Sequence, residues 1–325
     1  MGGTMWSSEL YEDRAATRAK TGTPTFAHDA AVRTGRTAKK AHASLEPHGV
    51  KVRESRDSDA HPNSLAIGVV FDETGSMHTI PGIVQKKLTK LMEILLDKKY
   101  CEDPQILVGA VGDARSDSVS LQMGQFESGI EIDEQLGHIY LEANGGGGEP
   151  QESYQNALYF FANKTSIDCW EKRGKKGFLF IIGDEKPYGA STPEEINRIF
   201  GDVVQENVLT TDLVRKVKER YHVFYLMPSG TMHYKEPGIV NAWNSLLGAE
   251  NVIMLDDPNL VAETIGATVG MVENAISLDA MTTDLGGGKD ALVVRAALDR
   301  LAPAAASAKG GVPAATTKGG SNVRL

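Results

Sequence analysis

Three oxygen-bearing side chains lie two residues apart in the stretch VVFDETGSMHTIP, residues 69–81. An apolar run ends in Asp72, and Thr74 and Ser76 follow it. In a turn between a strand and a helix, hydroxyls two residues apart can point at one position. The pattern is therefore compatible with a cradle for a cation, with an aspartate that becomes phosphorylated, and with a capped turn that binds nothing.

Two other loops carry similar groups. One reads NGGGGEP, from Asn144 to Pro150, and precedes a helical pattern. The other reads GDE, from Gly183 to Glu185, and follows an apolar strand pattern. Every candidate ligand atom in the three loops is an oxygen, and hard oxygen donors favour Mg²⁺, Ca²⁺ or Mn²⁺ over zinc or copper.

The elements that would position these loops alternate between strand and helix patterns. A continuous apolar run such as LAIGVVF, residues 65–71, predicts a strand that is buried on both faces. Further strands are predicted at 106–112, 119–123, 177–184, 221–227 and 252–256, and helices at 80–97, 130–141, 151–163, 192–200, 210–220, 237–248 and 258–277. This alternation predicts an α/β fold: a doubly wound, mostly parallel sheet with helices on both faces, and with 119–123 as an antiparallel edge strand. In such a sheet, ligands bind beyond the carboxyl ends of the strands, where the three loops lie.

The chain divides into three parts by composition. Residues 1–63 are predicted to be an irregular N-terminal arm with one short helix near 30–43. Residues 64–278 hold the alternating pattern and form the predicted domain. Residues 279–325 are a predicted C-terminal extension that ends in a flexible tail of low complexity.

Charge and composition exclude several classes of protein. The net charge of the 325 residues is −9, which argues against nucleic acid as the main partner. No apolar run of about 18 residues exists, so no membrane span is expected. The N-terminus has no apolar signal segment, and the two cysteines form no disulfide framework, so a reducing cytoplasmic location is expected.

The residues DETGS at 72–76 match the DxTxS form of the metal-ion-dependent adhesion site of von Willebrand factor A domains. The resemblance covers roughly residues 64–275, and its other two pieces are the glycine-rich loop and Asp184 in FLFIIGDEKPYG. It implies a Rossmann-like sheet and a Mg²⁺ site, with Mn²⁺ or Ca²⁺ as alternatives. By this resemblance, Thr74 and Ser76 bind the metal directly, while Asp72 and Asp184 bind or orient waters. An acidic residue of a partner protein would complete the coordination.

The second loop departs from the family pattern, which supplies a threonine there. The stretch ANGGGGEPQESYQNAL, residues 143–158, contains none. Glu149 is the first candidate for the missing ligand, with Asn144 and Ser153 behind it. Glu149 is equally well explained as a charge that stabilises the start of the following helix.

The resemblance implies a binding module rather than an enzyme. We expect an adaptor or assembly factor whose partner offers an Asp or Glu. An AAA+ ATPase is one candidate for that partner, because intracellular bacterial relatives often work beside such ATPases. A structural assembly component, in which the metal only stabilises the fold, is a second hypothesis.

A third hypothesis is chemical. DETGS also resembles the DKTGT motif of haloacid-dehalogenase-like phosphoryl-transfer enzymes, in which the Asp attacks a phosphoryl group. Asp72 would be that nucleophile. Most such enzymes have a second acid two residues further on, where this chain has Thr74.

Overall fold

The computed structural model describes residues 6–77, 79–142 and 150–301. The helices of these ranges are α1 (Ser8–Thr21), α2 (Ala27–Arg33), α3 (Ile80–Asp97), α4 (Glu131–Gly137), α5 (Tyr154–Asn163), α6 (Asp168–Glu171), α7 (Pro193–Phe200), α8 (Thr210–Arg220), α9 (Pro237–Leu247), α10 (Val261–Val272), α11 (Leu278–Asp284) and α12 (Lys289–Leu298). The strands are β1 (Arg53–Ser55), β2 (Ser64–Asp72), β3 (Asp103–Val111), β4 (Leu121–Met123), β5 (Gln151–Glu152), β6 (Thr165–Ile167), β7 (Gly177–Ile182), β8 (Lys186–Pro187), β9 (Ala190–Ser191), β10 (Val208–Leu209), β11 (Tyr221–Pro228) and β12 (Val252–Leu255). No helix within the described ranges is long and apolar enough to cross a membrane.

Six of these strands form the central sheet, in the order β12–β11–β7–β2–β3–β4. All neighbouring pairs run parallel except β3 and β4, which run antiparallel at one edge. Every residue of β2 and of β7 is buried, which requires cover on both faces of the sheet. The predicted fold class is therefore confirmed, including its antiparallel edge strand.

The order in which the chain adds strands to the sheet reverses between β2 and β7. From β2 the chain continues to β3 and β4 on one side, and β7, β11 and β12 later extend the other side. Phe71 of β2 pairs with Ile182 of β7, so the chain leaves both strands at neighbouring positions. Doubly wound sheets bind ligands at such a reversal, because the loops on either side diverge and leave a crevice.

Gly68, in the middle of β2, allows helix α5 to approach the sheet closely. A Cβ added at Gly68 would lie 2.4 Å from Cζ of Phe161, in the core. We expect Gly68→Ala to lower the free energy of unfolding by about 1–3 kcal/mol, because the ring and the strand would be forced apart. Urea unfolding measures this loss. Gly82→Ala is the matched control, since nothing lies within 4 Å of its added Cβ, and wild-type stability of Gly68→Ala would contradict the close packing.

The first helix of the described residues is α1, which the sequence patterns do not predict. They predict one short helix near 30–43, where the structure has α2, which ends at Arg33. Helix α1 starts after Ser7, whose hydroxyl accepts a backbone N–H, and it ends at Gly22, which has a φ of 66°. No residue of α1 is buried, so the helix lacks the apolar stripe on which periodicity analysis depends. It is attached instead by an ion pair between Arg18 and Asp133 of α4 at 2.5 Å.

Candidate metal centre

The first loop turns sharply after β2 and brings its three polar side chains together. Asp72 Oδ1 accepts hydrogen bonds from the backbone N–H of Thr74 at 2.8 Å and from Thr74 Oγ1 at 2.6 Å. Thr74 Oγ1 lies 3.4 Å from Ser76 Oγ. An aspartate side chain that accepts the N–H two residues further on stabilises this kind of turn, which here continues into a single 3-10 turn and helix α3.

The third loop brings Asp184 to the same place. Ser76 Oγ donates a hydrogen bond to Asp184 Oδ1 at 2.8 Å. Asp184 lies two residues after the end of β7, and its side chain, like that of Asp72, has an exposed fraction of 0%. The structure thus brings four of the predicted residues together, as two hydroxyl–carboxylate pairs whose hydroxyl oxygens lie 3.4 Å apart, at the point where the strand order reverses.

The second loop is described only from Pro150 onward. The predictions for Asn144 and Glu149 lie outside the described residues. Ser153, the remaining candidate there, is buried and occupied elsewhere: its hydroxyl donates to Asp113 Oδ1 at 3.2 Å and accepts the backbone N–H of Ala114 at 2.8 Å. Ser153 therefore fastens the second loop to the loop that follows β3.

Tyr154 links the second loop to the centre, and no motif in the sequence points to it. Its hydroxyl donates to Asp72 Oδ2 at 2.7 Å. Its ring packs edge-on against Trp243, with the centroids 5.5 Å apart. Gly183 makes room for this contact, since a Cβ there would lie 2.0 Å from the Tyr154 hydroxyl. Both Asp72 oxygens are therefore occupied by donors of the chain itself.

A fourth loop, between β11 and α9, also contacts the centre and was not predicted. The backbone N–H of Met232 donates to the carbonyl oxygen of Ser76 at 3.1 Å. The next N–H, of His233, donates to Asp184 Oδ2 at 3.0 Å. The side chain of Met232 is 64% exposed, so an apolar group lies at the rim of a polar centre.

Three further carboxyl groups are buried around the centre. Each has at least one oxygen without a hydrogen-bond partner among the described residues: Glu73 Oε2, both oxygens of Glu152, and Glu185 Oε2. Burial, followed by the charges of Asp72 and Asp184, raises the pKa of Glu185 to about 8. Burial, followed by the charge of Asp184, likewise raises the pKa of Asp72 above its usual range. The region therefore has more carboxyl groups than the chain neutralises.

This donor set fits a hard divalent cation. Within the described ranges, no group of three or more His, Cys, Asp or Glu side chains is placed to hold a metal. The centre is instead a mixed set, in which the hydroxyls of Thr74 and Ser76 lie beside the carboxylates of Asp72 and Asp184. Such a set contains oxygen alone, as Mg²⁺, Mn²⁺ and Ca²⁺ prefer, and the surplus of buried carboxyl groups favours a positive charge.

Comparison with known proteins found structural matches at low similarity. The pilus adhesin SpaC from Lactobacillus rhamnosus GG, in its open conformation, is 10% identical over 67% of this chain and 31% of its own, with a TM-score of 0.45. Proximal thread matrix protein 1 from the mussel byssus is 12% identical over 64% and 46%, with a TM-score of 0.42. A von Willebrand factor type A structure from Catenulispora acidiphila is 15% identical over 64% and 42%, with a TM-score of 0.38.

Each match covers only part of this chain and only part of the solved chain. The chain spans less than half the length of each of these solved chains. No family model and no curated protein matches the sequence. Matches with these TM-scores do not indicate a function. The interpretation of the centre as an adhesion site depends on the residues described above.

Proposed function

We propose that this protein is a metal-dependent protein–protein interaction module of the von Willebrand factor A type. The observation that carries the proposal is a pair of hydroxyl–carboxylate hydrogen bonds, from Thr74 to Asp72 and from Ser76 to Asp184, whose two hydroxyl oxygens lie 3.4 Å apart. It lies at the carboxyl ends of β2 and β7, where the strand order reverses and where such sheets bind ligands. The adhesion-site resemblance of the sequence names the same four residues.

Each residue has a distinct part in the proposed centre. Thr74 and Ser76 offer neutral hydroxyl oxygens as direct ligands, while Asp72 and Asp184 hold ordered waters and balance the charge. Tyr154 and the backbone N–H of His233 fix the orientation of the two carboxylates. A bound Mg²⁺, Mn²⁺ or Ca²⁺ would supply the positive charge that an acidic side chain of a partner meets.

The partner is proposed to be a protein that offers an Asp or Glu. The surrounding loops, at 113–118, 185–191 and 229–236, would select among such partners, and Met232 adds an exposed apolar contact. An AAA+ ATPase stays a candidate partner, and a cytoplasmic location stays a prediction. Neither nucleic acid nor a membrane is a proposed partner.

Titration calorimetry with Mg²⁺ and with Mn²⁺ tests the centre directly. We expect one binding event for either ion, and none for a monovalent salt at equal ionic strength. The second measurement uses Mn²⁺-loaded protein and follows the relaxation of water protons. An Asp-containing peptide should displace metal-bound water, whereas its Asn counterpart should not. Absence of divalent-ion binding in the first measurement would refute the proposal.

The geometry of Asp72 makes phosphoryl transfer a weaker hypothesis than metal binding. A nucleophilic carboxylate has to reach a phosphoryl donor, but Asp72 is 0% exposed and both its oxygens accept hydrogen bonds. Incubation with a phosphorylated substrate, followed by an acid quench and a search by intact mass for an adduct that hydroxylamine removes, tests this hypothesis. An adduct on Asp72 would favour the enzyme.

Removing the ion distinguishes a metal that only stabilises the fold from a metal that binds the partner. If the metal only stabilises the fold, proteins captured from a cell lysate stay bound after EDTA treatment. If the centre binds the partner, they are released by EDTA and return when Mg²⁺ is restored. The retained fold is checked in the same samples by circular dichroism.

Tyr154→Phe is expected to lower the Mg²⁺ affinity about 10-fold, because outer hydrogen bonds orient the groups that surround a metal. The substitution removes one hydroxyl and keeps the ring that packs against Trp243. Tyr221→Phe is the control, since it removes an equally buried hydroxyl that bonds Thr165 instead. Calorimetry on both variants measures the effect, and equal affinities would show that Tyr154 does not orient the centre.

A further inference from the structure

Three histidine rings meet where the N-terminal residues contact the end of α4. His28 lies in α2, His42 lies in the segment after α2, and His138 directly follows α4. The rings of His42 and His138 stack with their centroids 3.7 Å apart, and the ring of His28 meets that of His42 edge-on at 5.2 Å. All three residues are half-buried. This histidine cluster therefore connects residues 28–44, the arm segment, to the end of α4.

Ser44 fixes the protonation state that this arrangement requires. Its backbone N–H donates to Nδ1 of His42 at 3.3 Å, so that nitrogen carries no proton and the ring is neutral. Its hydroxyl donates to the same nitrogen at 2.8 Å, and the hydroxyl oxygen is then left to accept Nδ1–H of His138 at 3.0 Å. A second proton on the His42 ring has to bind Nδ1. It would face the backbone N–H of Ser44, and the hydrogen bond between them would be lost.

A charge on His138 acts in the same direction as a charge on His42. Two imidazolium rings that stack at 3.7 Å repel each other, because like charges at short range disfavour the protonated forms. His28 adds a third ring to the cluster, and its Nε2–H donates to the carbonyl oxygen of Lys40 at 2.9 Å. Proton uptake by the histidine cluster therefore opposes the contact that the rings make.

Charged groups of both signs surround the histidine cluster. Two carboxylates of α4 are each paired with a guanidinium group of α1, at 2.9 Å and 2.5 Å. A guanidinium group of β1 donates to the carbonyl oxygen of Ser44 at 2.9 Å. With the lysine whose carbonyl holds His28, these groups are Glu134, Asp133, Arg14, Arg18, Arg53 and Lys40.

The two stacked rings resist protonation in this environment. Burial, followed by the charges of His138 and His28, lowers the pKa of His42. Burial lowers the pKa of His138 more than the charge of Glu134 raises it, and the charge of His28 lowers it further. The contact is therefore most stable above about pH 6.5, the ordinary pKa of an imidazole, and it loses stability as the pH falls below that value.

We propose that the histidine cluster is a pH-dependent contact, which holds the arm segment against α4 while its rings are neutral and releases it when they take up protons. The release ends at Leu45, which is 1% exposed and whose carbonyl oxygen accepts the backbone N–H of Met123 in β4 at 2.8 Å. The inference does not depend on the proposed function, because no residue of the histidine cluster belongs to the candidate metal centre.

The arm segment also contacts a loop beside the candidate metal centre. Nζ of Lys39 lies 2.5 Å from Oε1 of Glu142, and Oε2 of Glu142 accepts the backbone N–H of Ser118 at 3.1 Å. Ser118 ends the loop at 113–118, one of the loops that would select a partner. Release of the arm segment would therefore remove one of the two contacts that hold the Glu142 carboxylate against this loop.

Hydrogen exchange of the full chain, measured by mass spectrometry at about pH 7.5 and about pH 5.5, tests this inference. Rates are divided by those of a free peptide of the same sequence at each pH, because amide exchange itself depends on pH. The arm segment contains hydrogen-bonded amides, such as those of Thr34 and Arg36. We expect their protection to fall at least about 5-fold at the lower pH, because the released state binds more protons. Strands β2 and β7 should keep their protection.

Two variants show whether the histidine cluster causes the pH dependence. His42→Gln/His138→Gln has no imidazole at the stacked positions, so protection of its arm segment should be equal at both pH values. His222→Gln is the matched control, since His222 is a half-buried histidine of β11 whose ring packs against Phe178. It should lose protection as the wild type does. If circular dichroism shows that the double variant is unfolded, His28→Gln takes its place and should show a smaller change than the wild type.

Two outcomes would overturn the inference. The first is equal protection of the wild-type arm segment at both pH values. The second is a loss of protection in His42→Gln/His138→Gln, or in His28→Gln where it is used, that matches the loss in the wild type. The titrating group would then lie outside the histidine cluster. Neither outcome affects the proposed metal centre, which the calorimetry tests separately.

Discussion

The double variant Thr74→Ala/Ser76→Ala will lose Mg²⁺ binding, with an affinity more than about 100-fold below that of the wild type. Both hydroxyls are buried, and each donates to one carboxylate, Thr74 to Asp72 and Ser76 to Asp184, at the point where the strand order reverses. Their removal takes away the two neutral ligands and leaves carboxylates that repel each other. Isothermal titration with Mg²⁺ measures the loss. Capture of an Asp-containing peptide by Mg²⁺-loaded protein should disappear with it.

The fold of this variant should survive. Each deleted hydroxyl donates one hydrogen bond to a carboxylate, and such a loss costs about 1–3 kcal/mol. Asp72 still accepts the backbone N–H of Thr74 and the hydroxyl of Tyr154, while Asp184 keeps the N–H of His233. The sheet should therefore remain intact by circular dichroism.

Two comparisons make this prediction specific. Ser64→Ala/Thr165→Ala also removes one buried Ser and one buried Thr hydroxyl, but Ser64 begins β2 and so lies at the opposite end of the strand from Asp72. That variant should bind Mg²⁺ as the wild type does. Thr74→Ser keeps a hydroxyl and should keep most of the affinity. Undiminished binding by the double alanine variant would show that the cation, if bound, lies elsewhere.

The sequence sufficed to predict the sheet because its central strands are buried on both faces. In β2 and β7 every position is buried, so the apolar runs around Val70 and Phe180 are continuous and easily recognised. Helix α1 was missed for the opposite reason, since it buries no residue and leaves no periodic pattern. A capping serine and a terminal glycine, Ser7 and Gly22, were the available signals.

The sequence predicts the parts of the candidate centre in which side chains, and not backbone groups, make the hydrogen bonds. Asp72, Thr74 and Ser76 share one turn, and Asp184 ends a recognisable strand. The loop between β11 and α9 acts through the backbone N–H groups of Met232 and His233, which any residue type could supply. Its place at the centre follows from the strand order, which local sequence does not specify.

Glu152 was overlooked because its neighbours resemble the start of a helix. The letters QESYQNAL do begin helix α5, but only from Tyr154 onward. The two residues before it pair with Lys186 and Pro187, which are distant in sequence. That pairing, and not the residue type, places Glu152 beside the third loop. A pairing of only two residues from each loop produces no periodic pattern in the sequence, so the sequence does not predict this contact.

Mg²⁺ at 100 times its dissociation constant should raise the free energy of unfolding by about 2.7 kcal/mol, because it binds the folded chain alone. In a domain of this size, that corresponds to an increase in Tm of roughly 5 °C. The increase has a physical source in the buried carboxyl groups of Asp72, Asp184, Glu152 and Glu185, which a divalent cation would partly neutralise. NaCl at equal ionic strength should not reproduce it, since screening acts weakly on buried charges.

Asp184→Asn tests whether this stabilisation comes from the proposed centre. The variant should lose most of the Mg²⁺-induced increase in Tm, because it removes one of the two carboxylates that face the hydroxyls. Asp168→Asn is the matched control: Asp168 is also buried, but it pairs with Arg56 and Lys172, away from the crevice. Each variant is compared with its own metal-free state, so any change in basal stability cancels. An equal increase in Tm for Asp184→Asn and Asp168→Asn would place the stabilising ion outside this centre.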